Sequence, residues 1–230
     1  MTVAKVAWDK FLNERFYWQQ GEHVSLIGPT GGGKTTLALS LLHRRKLVCI
    51  VATKPRDDTV TDFMKANREY RRIKHFGERH DLDKRVILWP PYTSGDPKQI
   101  MAGQRVAINH ALGEMFRTGK WCLFADEVRY LTNNLGLKEW MDLYWLQARS
   151  LKLSVVAATQ RPAWVPLEMY SQATHLFFWK DNDERNLKRI AGLGSMNPRD
   201  IVTEVRSLDK HEVLYVNTRN DDMLRTRMEY

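Results

Sequence analysis

The chain has 230 residues, 43% of them apolar and 27% charged, which is enough for one α/β domain with a sizeable core and excludes an intrinsically disordered chain. A formal net charge of +9 favours a polyanionic partner such as nucleic acid, and no apolar run reaches the roughly 18–20 residues that cross a bilayer. The two cysteines, Cys49 and Cys122, lie in apolar runs with too few ligands nearby for a metal centre, so they are expected to be reduced, buried small hydrophobes of a cytoplasmic protein.

The first ten residues lack the long apolar stretch of a leader peptide. Residues 1–20 form a lead-in rich in aromatic side chains: Trp8, Phe11, Phe16, Tyr17 and Trp18. Their helix-like spacing favours packing, with stacking on a nucleobase as the alternative. Val24-Ser25-Leu26-Ile27 has the pattern of a short buried strand, and Thr36 to Leu42 that of the opening turns of a helix. Between them, Gly28-Pro29-Thr30-Gly31-Gly32-Gly33-Lys34-Thr35 matches G-x-x-x-x-G-K-[ST] at every fixed position, with Thr36 following. Glycines there let backbone N–H groups turn inward around phosphate oxygens at a helix N-terminus. Lys34 is placed to reach the β- and γ-phosphates, and the Thr35 hydroxyl to hold Mg²⁺. The chain is therefore expected to bind a nucleoside triphosphate, with ATP and Mg²⁺ as the cofactors.

Further strands are expected at 46–52, 85–89, 121–125, 153–159 and 174–179, with an edge strand at 211–216. Helices are expected at about 59–72, 98–117, 137–148, 183–192 and 197–207, and residues 218–230 are expected to be a polar, loose tail. Strands apolar on both faces and alternating with helices indicate an α/β fold with a mostly parallel central sheet covered on both sides, over residues 21–217. With its phosphate loop the chain resembles the P-loop NTPases of the ASCE, RecA-like type, whose fold is the expectation. In such sheets ligands gather at the carboxyl ends of the strands. Three strand ends then stand out. Asp126-Glu127 closes an apolar strand in the Walker B manner, with Asp126 toward Mg²⁺ and Glu127 toward the attacking water. Gln160 closes the strand expected beside it, where an amide can sense the γ-phosphate or the lytic water. Arg149 before that strand and Arg161 after it are both candidates to stabilise transition-state charge. A second acid after the first points to hydrolysis, and no N-K-x-D tetrad is present to read guanine.

The run Gln19 to Thr36, the Leu123-Phe124-Ala125-Asp126-Glu127 strand end and Ala157-Ala158-Thr159-Gln160-Arg161-Pro162 together resemble the FtsK–HerA superfamily of ring-forming ATPases that pump DNA. The A-T-Q-R-P run is the most discriminating of the three. The resemblance covers about residues 19–180 and implies Lys34 and Thr35 on the nucleotide, Asp126 and Glu127 as Walker B, Gln160 as sensor, and Arg149 over Arg161 as a finger acting across a subunit boundary. Within these residues the membrane anchor of septal DNA pumps, the N-terminal barrel of archaeal HerA and a C-terminal winged helix find no counterpart, so a bare motor of the size of viral packaging ATPases is expected. The expectation is then an ATP-driven translocase of double-stranded DNA, from a phage or mobile element, assembled as a ring (a hexamer) and docking on a capsid portal or other packaging protein. Loops 129–136 and 90–98 are the candidates to face DNA. A protein-export or filamentous-phage-assembly ATPase, and a P-loop small-molecule kinase, are the alternatives.

Overall fold

The computed structural model describes residues 3–93, 95–191 and 197–228. In chain order these give β1 (Ala4–Val6), α1 (Trp8–Lys10, continued by a π-turn over Phe11–Arg15), β2 (Val24–Ile27), α2 (Lys34–Leu42), β3 (Leu47–Val51), α3 (Asp58–Ala66), β4 (Arg71–Ile73), β5 (Arg85–Leu88) and α4 (Pro97–Thr118). There follow β6 (Trp121–Ala125), α5 (Lys138–Leu146), β7 (Ser154–Thr159), α6 (Glu168–Ser171), β8 (His175–Phe178), α7 (Glu184–Ala191), α8 (Pro198–Ser207), β9 (Glu212–Asn217) and β10 (Asp222–Arg227). The strands form one sheet in the order β1-β10-β9-β8-β2-β7-β6-β3-β5-β4. From β8 through β4 every pair is parallel, while β9 is antiparallel to both its neighbours and β1 runs parallel to β10. This is the expected α/β architecture.

Alternation along each strand divides the core into two layers. On β6, Trp121, Leu123 and Ala125 face one side with α4, α5, α6, α7 and α8. Cys122 and Phe124 face the other with α2, α3 and the aromatic N-terminus. Both cysteines are free and fully buried, and burial pushes each thiol up to about 12. The lead-in aromatics belong to this second layer. Phe11 and Phe16 pack edge-on against Phe177 and Tyr215, and Trp8 and Trp18 are buried beside them, so these four are packing residues. Tyr17 is exposed and borders a cleft at the other end of the sheet from the glycine-rich loop.

Three local expectations change. The helix expected over 59–72 stops at Ala66, because the chain reverses at Asn67 and returns as β4, whose Ile73 is buried beside β5. The strand at 211–216 is not an edge, since β8 and β10 flank it. The stretch expected as a loose tail pairs with β9 through six register positions and carries β1 on its far side. Its polarity is internal. Arg225 is buried and pairs with Glu204 at 3.2 Å and with Glu212, while Leu224 fills the second core layer. Of the helix expected over 183–192, residue 192 lies outside the described residues, as does residue 94 of the loop 90–98 and the end of the tail.

Candidate functional site

The parallel strands β2, β3, β6 and β7 all end on one side of the sheet, and the site is built from the residues just beyond each end. β7 lies between β2 and β6, so the ends carrying Gly28, Gln160 and Asp126 are adjacent. Gly28 N–H donates to the Thr159 carbonyl at 3.2 Å, fixing the start of the loop on the neighbouring strand. A Cβ at Gly28 would stand 2.5 Å from the Cβ of Trp179, so only glycine fits there. Gly33, at φ 95°, makes the left-handed turn into α2, a conformation other residues reach only with strain.

Lys34, Thr35, Thr36, Thr30, Gly31, Gly33, Asp126, Glu127 and Gln160 surround one cavity of about 420 Å³, joined by Lys54, Thr59 and His211. The Lys34 ammonium is buried and donates to the carbonyls of Gly28 and Pro29, each at 2.7 Å. Burial opposes its charge and lowers its pKa, against the pull of Asp126 and Glu127. The Thr35 hydroxyl donates to Asp126 Oδ1 at 2.8 Å, bringing together the two groups expected at Mg²⁺. Thr30 donates its hydroxyl to Gln160 Oε1 at 2.8 Å, tying the glycine-rich loop to the end of β7. Burial raises the Glu127 pKa above the ordinary glutamate value; the Arg129 backbone N–H opposes the shift and the neighbouring Asp126 adds to it.

Glu127 and Gln160 also form the wall of an adjoining cavity of about 320 Å³, whose other sides are Arg129, Tyr130, Asn134 and Arg161. Arg129 stacks over Trp164, with its guanidinium carbon 5.2 Å from the ring centre. Arg161 is therefore near Glu127 within the chain. Arg149 is not. It sits in the 3₁₀ turn before β7, at the opposite end of the sheet, and the six residues of β7 put roughly 20 Å between the two ends. Of the loops expected to face DNA, 129–136 forms a π-turn over Tyr130–Asn134 with Leu131 and Leu135 buried. In 90–98, Tyr92 donates to the Thr53 carbonyl and Asp96 caps α4 through Lys98 N–H at 2.9 Å.

Sequence reasoning passed over Lys54, Thr59, Trp179 and His211. Lys54 lies just beyond β3, and a polar side chain past a parallel strand end is a sufficient signal. Trp179 and His211 come from distant segments. With Gly31, Gly32, Lys180 and Lys210 they enclose a cleft of about 200 Å³ that shares Thr30, Gly31 and His211 with the main cavity. Trp179 is buried there and its indole N–H has no partner.

A hydroxyl and a carboxylate held together suit Mg²⁺, a hard cation that takes few protein ligands. Among the described residues no cluster of three or more His, Cys, Asp or Glu side chains could hold a metal of another kind. At the other end of the sheet a cleft of about 430 Å³ is bordered by Glu22, but its charges are already paired, Glu22 with Arg219 at 2.6 Å and Arg15 with Asp222 at 2.9 Å. Among the described cavities, those bordered by the glycine-rich loop or by Glu127 and Gln160 lie at the first end and not at this one.

No family model matches the sequence, and no curated protein matches it. Solved structures do. The genome packaging NTPase B204 from Sulfolobus turreted icosahedral virus 2, in complex with AMPPCP, superposes with a TM-score of 0.66 over 92% of this chain and 100% of its own, at 14% identity. VirB4 of Thermoanaerobacter pseudethanolicus gives 0.64 over 90% of this chain and 89% of its own, at 10% identity. The cytoplasmic domain of the type VII secretion ATPase EccC from Thermomonospora curvata gives 0.57 over 92% of this chain and 26% of its own, at 13% identity. The fold is that of the P-loop ATPases, in agreement with the FtsK–HerA resemblance carried by the three motifs.

Proposed function

We propose that this chain is an ATP-hydrolysing motor that moves double-stranded DNA. One observation carries the hydrolytic part: Lys34, Thr35, Asp126, Glu127 and Gln160, drawn from three strand ends, border a single cavity. Their roles follow from chemistry. Lys34 leaves the Gly28 and Pro29 carbonyls for β- and γ-phosphate oxygens, which are stronger acceptors. Glu127 takes a proton from the attacking water, a task its raised pKa suits. Gln160 is held by Thr30 where it meets that water or the terminal phosphate. Thr35 and Asp126 are the residues that would hold Mg²⁺, which when bound neutralises developing phosphate charge. The nucleoside occupies the cleft beside the glycine-rich loop, where the Trp179 N–H lacks a partner.

The charge of +9 and the likeness to a genome packaging NTPase support DNA as the cargo. Arg149, far from its own chain's cavity, serves the site of a neighbouring copy, which makes the working form a ring. A capsid portal or other packaging protein would hold that ring at a cell-internal site; among the described residues no helix is long and apolar enough to cross a membrane. A protein-export ATPase is the second reading, favoured by the likeness to a type VII secretion ATPase.

Steady-state ATP hydrolysis with and without linear duplex DNA, across a salt series, tests the proposal. DNA stimulation that fades with salt and is absent in Glu127→Gln is expected. Hydrolysis indifferent to DNA at low salt would refute the DNA reading and favour export.

A further inference from the structure

The cavity contains more cation than phosphate binding by the glycine-rich loop requires. Lys54 stands between two carboxylates, its Nζ 3.0 Å from Asp126 Oδ2 and 3.0 Å from Asp57 Oδ2. Asp126 is thereby engaged on both oxygens, one accepting from Thr35 and the other from Lys54. The backbone around Lys54 is fixed from three sides. Trp89 Nε1 donates to its carbonyl at 2.8 Å, Gln104 Nε2 donates to the Thr53 carbonyl at 3.0 Å, and Ala52 N–H donates to the Leu88 carbonyl at 3.0 Å. Any rearrangement at this position is therefore confined to the side chain, which is half exposed to the cavity. Asp57 is itself anchored, its Oδ1 accepting from Val60 N–H at 3.1 Å as the cap of α3.

Two contacts with carboxylates hold Lys54 only while no stronger anion is present. A triphosphate brings a terminal phosphate into the space that Lys54 lines with Lys34, Thr35 and Gln160.

We propose that Lys54 is a γ-phosphate-contacting residue that rests on Asp126 and Asp57 in the nucleotide-free chain and transfers to the terminal phosphate of a bound nucleoside triphosphate. The inference rests on the nucleotide-binding part of the functional reading and not on DNA. It gives the site a means of telling triphosphate from diphosphate before any bond breaks. It also frees Asp126 for its metal role only when the third phosphate is present, and it leaves Asp57 with α3 alone. Burial disfavours the Lys54 charge, but Asp126 and then Asp57 outweigh it and raise its pKa where it rests between them.

Calorimetric titration of the full chain with AMPPCP and with ADP, in EDTA and again in Mg²⁺, tests this without turnover. Lys54→Met should weaken AMPPCP about tenfold, equivalent to about 1.4 kcal/mol, and leave ADP within about twofold. Lys54→Arg should keep most of the triphosphate preference. Asp57→Asn removes one of the two resting partners and should tighten AMPPCP about two- to threefold with ADP unchanged, a gain that loss of structure does not produce. Equal weakening of both ligands in Lys54→Met, or no change in either, would overturn the proposal and leave Lys54 an ion-pair residue alone. An unchanged AMPPCP affinity in Asp57→Asn would also count against it. Failure of the wild-type chain to bind either ligand would remove the nucleotide reading beneath it, a result separable from the others.

Discussion

At Gly28 a single methyl group is decisive. Its Cβ would collide with the side chain of Trp179, which packs over the glycine-rich loop, and the backbone that must yield is the one proposed to surround phosphate. Gly28→Ala is expected to weaken nucleotide binding and to cost about 1–3 kcal/mol of stability, checked by denaturant unfolding beside an AMPPCP titration. Glu127 offers a different test. A general base works deprotonated, and burial favours its neutral form, so activity should be lost as pH falls through a value above 4.5, the ordinary glutamate figure. A pH–rate profile whose acid limb lies at or below 4.5 would contradict the assignment. Glu127→Gln should lower turnover by about 10²–10⁴-fold while AMPPCP still binds.

Among the elements, β10 has the largest structural consequence for its length. It closes β9 on one side and supports β1 on the other, so truncation after Asn217 would strip two strands and expose β9 as an edge. Such a chain is expected to melt roughly 10 °C lower and to aggregate, which light scattering during a thermal ramp would record. The ion cluster beneath β10 makes part of this stability depend on pH. Burial by itself would raise the Glu212 pKa, but the Asp209 backbone N–H, Arg225 and Lys5 outweigh it and hold it at about 2. A depressed carboxylate stabilises above its unfolded value, near 4.5, and the contribution is lost as pH falls toward 2. Urea unfolding at pH 6 and pH 3 should show a larger loss for the wild-type chain than for Glu212→Gln.

β10 also shows what kind of information a sequence withholds. The central parallel strands were legible because strands buried on both faces are continuous apolar runs, and because the glycine-rich loop and Asp126-Glu127 are local patterns. β4 and β10 are polar, and their burial depends on partners distant in sequence, such as Glu204 and Glu212 for Arg225. The candidate site divides in the same way. Lys34, Thr35, Asp126, Glu127 and Gln160 were found from motifs and strand ends, whereas Trp179 and His211 enter the site only through the fold of the segment from β8 to β9.

For the whole molecule, the position of Arg149 supplies the sharpest test of assembly. A chain with Lys34→Ala lacks the proposed phosphate ligand but still carries Arg149, and a chain with Arg149→Ala keeps the cavity but has lost the proposed finger. Each should be nearly inactive alone, and mixing the two should restore hydrolysis at mixed boundaries by on the order of 10³-fold over either parent. No recovery on mixing would end the role of Arg149 across the boundary and return the assignment to Arg161, which borders the cavity beside Glu127 in its own chain.

The placing of β7 then acquires a meaning beyond the core it helps to build. One end begins just after the turn that carries Arg149, the other ends at Gln160, and between them runs a strand buried at every residue and bonded on both sides. In a ring where Arg149 serves the next site, that strand is a stiff strut whose two ends lie at two different nucleotides. A push on Gln160 as a phosphate leaves would then reach the neighbour's boundary with little loss to bending. Firing order around the ring would then be set by the mechanics of one six-residue rod in each subunit.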